Sequence, residues 1–145
     1  MDLRSRALHR RWLLVTAIVI GIFGPVFTLG TMTETAEPAR WTLQILSGPG
    51  HPTRAWSSDT LRFLSALTGG FLVGWGVTIA GLRAWVYDQA PEGVRKTVIT
   101  GLVAWFVLDS TGSIASGTPW NAAFNVLVLL VAAGPLWWPT ADDAV

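Results

Sequence analysis

The chain contains no cysteine, which excludes a disulfide framework, a thiolate metal site and a cysteine nucleophile together. Only two histidines are present, His9 and His51, too few and too far apart for a metal site, and both read as solvent-facing. No metal and no other cofactor is implied. Charge is scarce: 13% of the residues are Asp, Glu, Lys or Arg, against roughly 25% in an ordinary soluble domain. With a net charge of +1 and one basic cluster, Arg4, Arg6, Arg10 and Arg11, the chain offers no face for nucleic acid. Catalytic patterns are missing too. "DSTGS" at Asp109 is one residue too long for the D-[ST]-G-[SA] loop of aspartic proteases and has no second copy, and "SIASG" at Ser113 is not a nucleophile elbow. Repeats, heptads and low-complexity tracts are absent as well.

What is present is apolar: 51% of the 145 residues, with a positive mean hydropathy, which puts the chain in the membrane class. The start, "MDLRSRALHRRWLLVTAIVIGIFGPVF", resembles a signal peptide and "RRWLL" a twin-arginine signal. The apolar run from Trp12 to Met32 is nonetheless long enough to cross a bilayer, and no A-x-A site follows it closely, so a retained helix is expected. Spanning helices are expected over 12–32, 60–86, 96–116 and 119–138, within one domain covering 1–145. The fold class is all-α, an integral membrane four-helix bundle.

Its direction follows from basic residues. The amino terminus and the second connection (Arg83, Arg95, Lys96) outweigh Arg40, Arg54 and Arg62 on the other side, so both termini should be cytoplasmic. Trp12, Trp85, Trp137 and Trp138 fall at inner boundaries and Trp41, Trp56 and Trp120 at outer ones, leaving Trp75 and Trp105 near mid-membrane. In the first outer connection, Pro38, Gly48 and the Trp41/Ile45 pair suggest a short interfacial helix; an irregular loop held by Trp41 and Trp56 is the alternative. Glu34, Glu37 and His51 read as solvated there, or as lining an outer mouth. Pro25 and Pro135 bend their helices, and "TADDAV" is an acidic tail expected to fray.

The polar residues inside the spans are the candidate sites. Ala66, Gly70 and Gly74 recur every four residues, a face that lets another helix approach closely, either within the bundle, the preferred reading, or in an oligomer. Thr118 as N-cap and Pro119 at the first helical position make a tight turn between the third and fourth spans. Counting from that turn, Asp109 lies about 12 Å down one helix and Asn125 about 10 Å down the other. Gly101, Trp105, Asp109, Gly112 or Ser113, and Ser116 share a face, as do Asn121 and Asn125. Arg62 sits on the same side, one turn into the second span, with Ser65 a turn deeper. A carboxylate in hydrocarbon must pair with Arg62, accept bonds from Asn125 and Ser113, or take up a proton. An Arg62–Asp109 staple is the leading expectation, and a ligand or proton site comprising Asp109, Arg62, Asn125, Asn121 and Ser113 the alternative.

"RFLSALTGGFLVGWGVTIAGL" resembles the corresponding helix of small four-helix bacterial membrane proteins, the DoxX-like group, through an arginine at the helix start followed by a glycine-rich run. "WFVLDSTGSIASGTPWNAAFN" resembles a stretch of bacterial proteins with no assigned activity. The resemblance implies a multi-pass protein of the bacterial inner membrane and no enzyme. Three functions are compatible with these residues. The first is a structural or accessory component, as a homo-oligomer or beside a larger complex in the lipid bilayer; the second is transport or sensing of a proton, ion or small polar ligand at Asp109. A membrane enzyme acting on lipid or quinone, with Asp109 its one acid or base, ranks last.

Overall fold

The computed structural model describes residues 3–49 and 58–139, so the expectations for Gly50, His51, Pro52, Arg54, Trp56 and the acidic tail fall outside the described residues. Its elements are α1 (Leu3–Gly21), α2 (Phe23–Leu29), α3 (Glu37–Ser47), α4 (Asp59–Gly81), α5 (Pro91–Ala115) and α6 (Pro119–Ala133). Four packed helical segments are long and apolar enough to cross a membrane: Arg4–Leu29, Asp59–Val86, Pro91–Ala115 and Pro119–Trp137. The first and third begin earlier than composition suggested, because helix propensity carries the chain through Arg4–Arg11 and Pro91–Arg95 before the apolar runs start.

Both prolines interrupt their helices, for a reason visible in the hydrogen bonds. Pro25 has no N–H for the Gly21 carbonyl, and α1 gives way to α2 at Ile22. Pro135 likewise leaves the Val131 carbonyl without its helical donor, while Gly134 turns out of the helix at φ 40°. In hydrocarbon such an acceptor needs a new partner. Trp12 Nε1 donates to the Val131 carbonyl at 3.0 Å, and the Thr16 hydroxyl to that of Ala132 at 2.7 Å. The broken end of α6 is thereby fastened to α1.

α4 lies along α1 and α2 with backbones nearly touching. A Cβ on Gly69 would stand 2.8 Å from the Gly24 carbonyl oxygen, and one on Gly76 would stand 2.8 Å from that of Ala17. The buried stripe of α4 therefore runs through Ser65, Gly69, Gly76 and Ile79. This corrects the expectation for Ala66, Gly70 and Gly74. Gly70 and Gly74 are exposed, and a Cβ on either meets nothing within 4 Å. Each lies one residue, about 100° of helix, or more away from the packed stripe, and Ala66 is only half-buried at its edge.

The apolar core occupies one end of the bundle. Leu13, Ala17, Ile20, Ile79, Tyr87, Val94, Val98, Leu102 and Leu136 come from the second half of α1, the end of α4 and the turn beyond it, the first half of α5 and the turn after α6. Polar ties close this end. Arg83 donates to the Arg10 carbonyl at 2.8 Å, Tyr87 to that of Arg6 at 3.2 Å, and Arg95 Nη1 to that of Leu136 at 2.8 Å, while its Nε and Nη2 both donate to the Glu92 carboxylate. Burial pushes the Tyr87 phenol above its ordinary range, so it remains a donor. The opposite end has only a small cluster, Ala36 and Ala39 of α3 against Phe27 and Leu61. Instead of core, it contains a cavity.

Candidate ligand cavity

The hairpin joining α5 to α6 sets the polar wall. Gly117 at φ 78° reverses the chain, and Thr118 directs both its N–H (2.8 Å) and its hydroxyl (3.0 Å) to the Ser113 carbonyl. Thr118 therefore occupies the N-cap position, with Pro119 following, but its side chain secures the previous helix rather than capping α6. The turn brings Asp109 level with Asn121 and Asn125. Both asparagine Nδ2 groups donate to the same carboxylate oxygen, Oδ2, at 2.9 Å and 2.6 Å. Asn121 also donates to the Ser113 hydroxyl at 2.7 Å, and Asn125 to that of Ser110 at 3.2 Å.

Four of the five expected site residues thus meet. Asp109 takes no bond from Ser113, which it touches only through Asn121. Arg62 does not join them, and the expected Arg62–Asp109 staple is corrected. Its Nε donates to the Thr31 carbonyl at 2.7 Å and its Nη1 lies 3.6 Å from Asp59 in its own first turn. The reason is local. Carbonyls just past α2 lack helical donors, and an arginine one turn into α4 reaches them more readily than it reaches α5. Ser65 does the same for the Phe27 carbonyl at 2.6 Å. Among the described residues no cation is paired with Asp109.

Asp109 lies on the wall of a cavity of about 380 Å³ between the α1–α2–α4 and α5–α6 groups. That size is within the roughly 300–1,000 Å³ common for small-molecule sites. Its walls mix aliphatic and polar side chains with five aromatic ones, Phe23 and Phe27 from the first span, Trp75 from α4, Trp105 from α5 and Phe124 from α6. The two indoles meet edge to face, with centroids 6.3 Å apart and planes at 61°. Beyond this pair α4 and α5 scarcely touch, which is why the space is open. α3 forms the roof. It begins at Glu37, with Pro38 in its first turn, and ends before Gly48 (φ 83°), turning Arg40 and Leu43 towards the cavity and leaving Trp41 and Ile45 outside, 69% and 62% exposed. The helical reading of this connection is therefore the one that holds. Arg40 is held by Glu37 at 2.8 Å, while Glu34 is exposed outside the cavity.

Residue spacing did not identify Ser110, Thr68 or the Trp75–Trp105 pair as part of the site. The available signal was that these two tryptophans alone lie far from both expected interfaces, where an indole N–H has a reason to be only if something polar or a cavity is near.

Four packed apolar helices, with a cavity at one end whose wall carries Asp109, define a small multi-pass membrane protein. The chain matches no family model, no curated protein and no solved structure, so the likeness to the DoxX-like group rests on the helix that carries it.

Proposed function

We propose that this membrane protein is a transport or sensing module that binds a small polar or charged ligand in the α3-roofed cavity, with Asp109 as the recognising group. One observation carries the reading: the Asp109 carboxylate faces an open cavity and is held by two amides, with no cation paired to it among the described residues. A purely structural carboxylate within a membrane bundle is better served by a closed ion pair. The excess of arginine and lysine at the end carrying both termini supports a reading in which that end is cytoplasmic, by the positive-inside rule, and the cavity faces outward.

A second reading, an accessory subunit of a membrane assembly, is favoured by the open Gly70 and Gly74 face, which admits a helix from another chain. The two roles are compatible.

Water access to the cavity decides the first reading. The cysteine-free sequence permits single-cysteine labelling without background. In membranes with known sidedness, Thr68→Cys and Phe124→Cys should react with a small, membrane-impermeant thiol reagent added on the α3 side, as should Glu34→Cys in the exposed connection. Ser65→Cys, buried against α2, should not react. Unreactive cysteines at 68 and 124 beside a reactive one at 34 would mean a sealed cavity and would refute the module.

A further inference from the structure

Resting on the binding role proposed above, we infer that the cavity takes an organic monocation, an amine or ammonium carried on an aromatic or aliphatic body, in preference to a metal ion, an anion or a neutral lipid-like molecule. The inference combines the carboxylate's hydrogen bonds, the charge of the walls and the kind of surface around them.

The hydrogen bonds come first. Asn121 and Asn125 both turn Nδ2 towards Asp109, an orientation that serves an accepting oxygen, and both bonds fall on Oδ2. Among the described residues Oδ1 receives no donor. A ligand N–H reaching Oδ1 would complete the carboxylate's set with a charge-assisted bond. Charge balance points the same way. Among the described lining residues Arg40 is the one other charged side chain, and its Nη1 is paired with Glu37, so the charge without a charged partner there is that of Asp109. An anionic ligand placed against Asp109 would be repelled by its carboxylate.

The surroundings then separate organic cations from inorganic ones. A hard cation asks for about six or more oxygen ligands. Here the two amides nearest the carboxylate present nitrogen, and among the described residues no three His, Cys, Asp or Glu side chains come together. Aromatic rings are what the cavity does offer. Trp75 and Trp105, set edge to face, leave indole surface towards the space, and Phe124 stands near Asn121 and Asn125 on α6. A weakly hydrated ammonium is stabilised over such faces, and its hydrocarbon body is stabilised by leaving water. A proton alone would satisfy Asp109 but would leave the aromatic space without a role.

The test compares three probes that share one body: 4-phenylbutylammonium, 4-phenylbutanol and 4-phenylbutyrate. Each is radiolabelled and dialysed against the full-length protein in phosphatidylcholine nanodiscs, with empty nanodiscs subtracted to remove partitioning into lipid. The ammonium should bind at least about tenfold more tightly than the alcohol, from one charge-assisted bond plus a cation–π contact, and the butyrate least. Asp109→Asn should abolish the preference for ammonium over alcohol while alcohol binding persists, and Asp109→Glu should restore part of it. The comparison within the wild-type protein stands even if a variant folds poorly. Equal binding of ammonium and alcohol, with Thr68→Cys accessible, would overturn the cation preference and leave the binding module intact. Absence of binding by all three, with Thr68→Cys accessible, would overturn it likewise. An inaccessible Thr68→Cys would remove the module and this inference together.

Discussion

The partner of Asp109 can be decided by double-mutant cycles. Asp109→Ala, Asn125→Ala and Arg62→Ala are made singly and in the two pairs that include Asp109, and each protein is unfolded reversibly by sodium dodecyl sulfate in mixed micelles, followed by tryptophan fluorescence. The Asn125–Asp109 bond is 2.6 Å long, and Asn125 is only 3% exposed. A hydrogen bond to a charged group in a soluble protein contributes about 1.5–3 kcal/mol. Polar contacts between membrane helices average nearer 0.6 kcal/mol, up to about 1.7, because the separated helices find other partners. The expected coupling is therefore about 1–2 kcal/mol. Asn125→Ala alone should cost somewhat more than the coupling, since it also strands the Ser110 hydroxyl that Asn125 serves at 3.2 Å. The Arg62–Asp109 cycle should give less than about 0.5 kcal/mol, as for sites that share no partner, because Arg62 is engaged with Thr31 and Asp59. A coupling of 1 kcal/mol or more to Arg62, with none to Asn125, would restore the ion-pair staple and refute the account of an unneutralised carboxylate.

Two further outcomes follow from the packing. Gly69→Leu and Gly76→Leu should each destabilise by about 1–3 kcal/mol or more through overpacking against the Gly24 and Ala17 backbones, whereas Gly70→Leu and Gly74→Leu should leave the same unfolding midpoint unchanged; the reverse pattern would mean that α4 is rotated. At the closed end, Arg95→Met should cost about 2–3 kcal/mol, since it removes the bidentate partner of the 15%-exposed Glu92 side chain and the donor to the Leu136 carbonyl, while Arg10→Met should cost at most about 1 kcal/mol because its pair with Asp88 is exposed; equal costs would show that Arg95 is not a structural tie.

Some of this was legible without coordinates because it depends on length and local chemistry. Four apolar runs of the right length, a proline that deprives a carbonyl of its donor, and a Gly-Thr-Pro turn that sets Asp109 level with Asn125 all concern residues close in sequence. The α3 helix was legible for the same reason, from Pro38, Gly48 and the Trp41/Ile45 spacing. Arg62 shows where this reasoning stops. Its reach towards Asp109 was sound by depth, but depth fixes only one of three coordinates, and Thr31 with Asp59 lay nearer. The glycines of α4 show the same limit. Small residues four apart mark a face, but not what that face meets, and the register that packs is Gly69 and Gly76, seven apart.

By itself, then, the sequence determined that this chain belongs to the bilayer, in helical segments joined by turns whose residues dictate them, with a carboxylate and two amides at one depth. These follow from the cost of bare backbone in lipid and from 1.5 Å of rise per residue. Only the tertiary structure decided which helices touch. Close approach of α4 to α1 and α2, and of α5 to α6, leaves a gap between the two groups at the end beneath α3. That gap converts a buried polar pair into the wall of a cavity, because the space between helices depends on packing across the whole bundle and no local spacing encodes it.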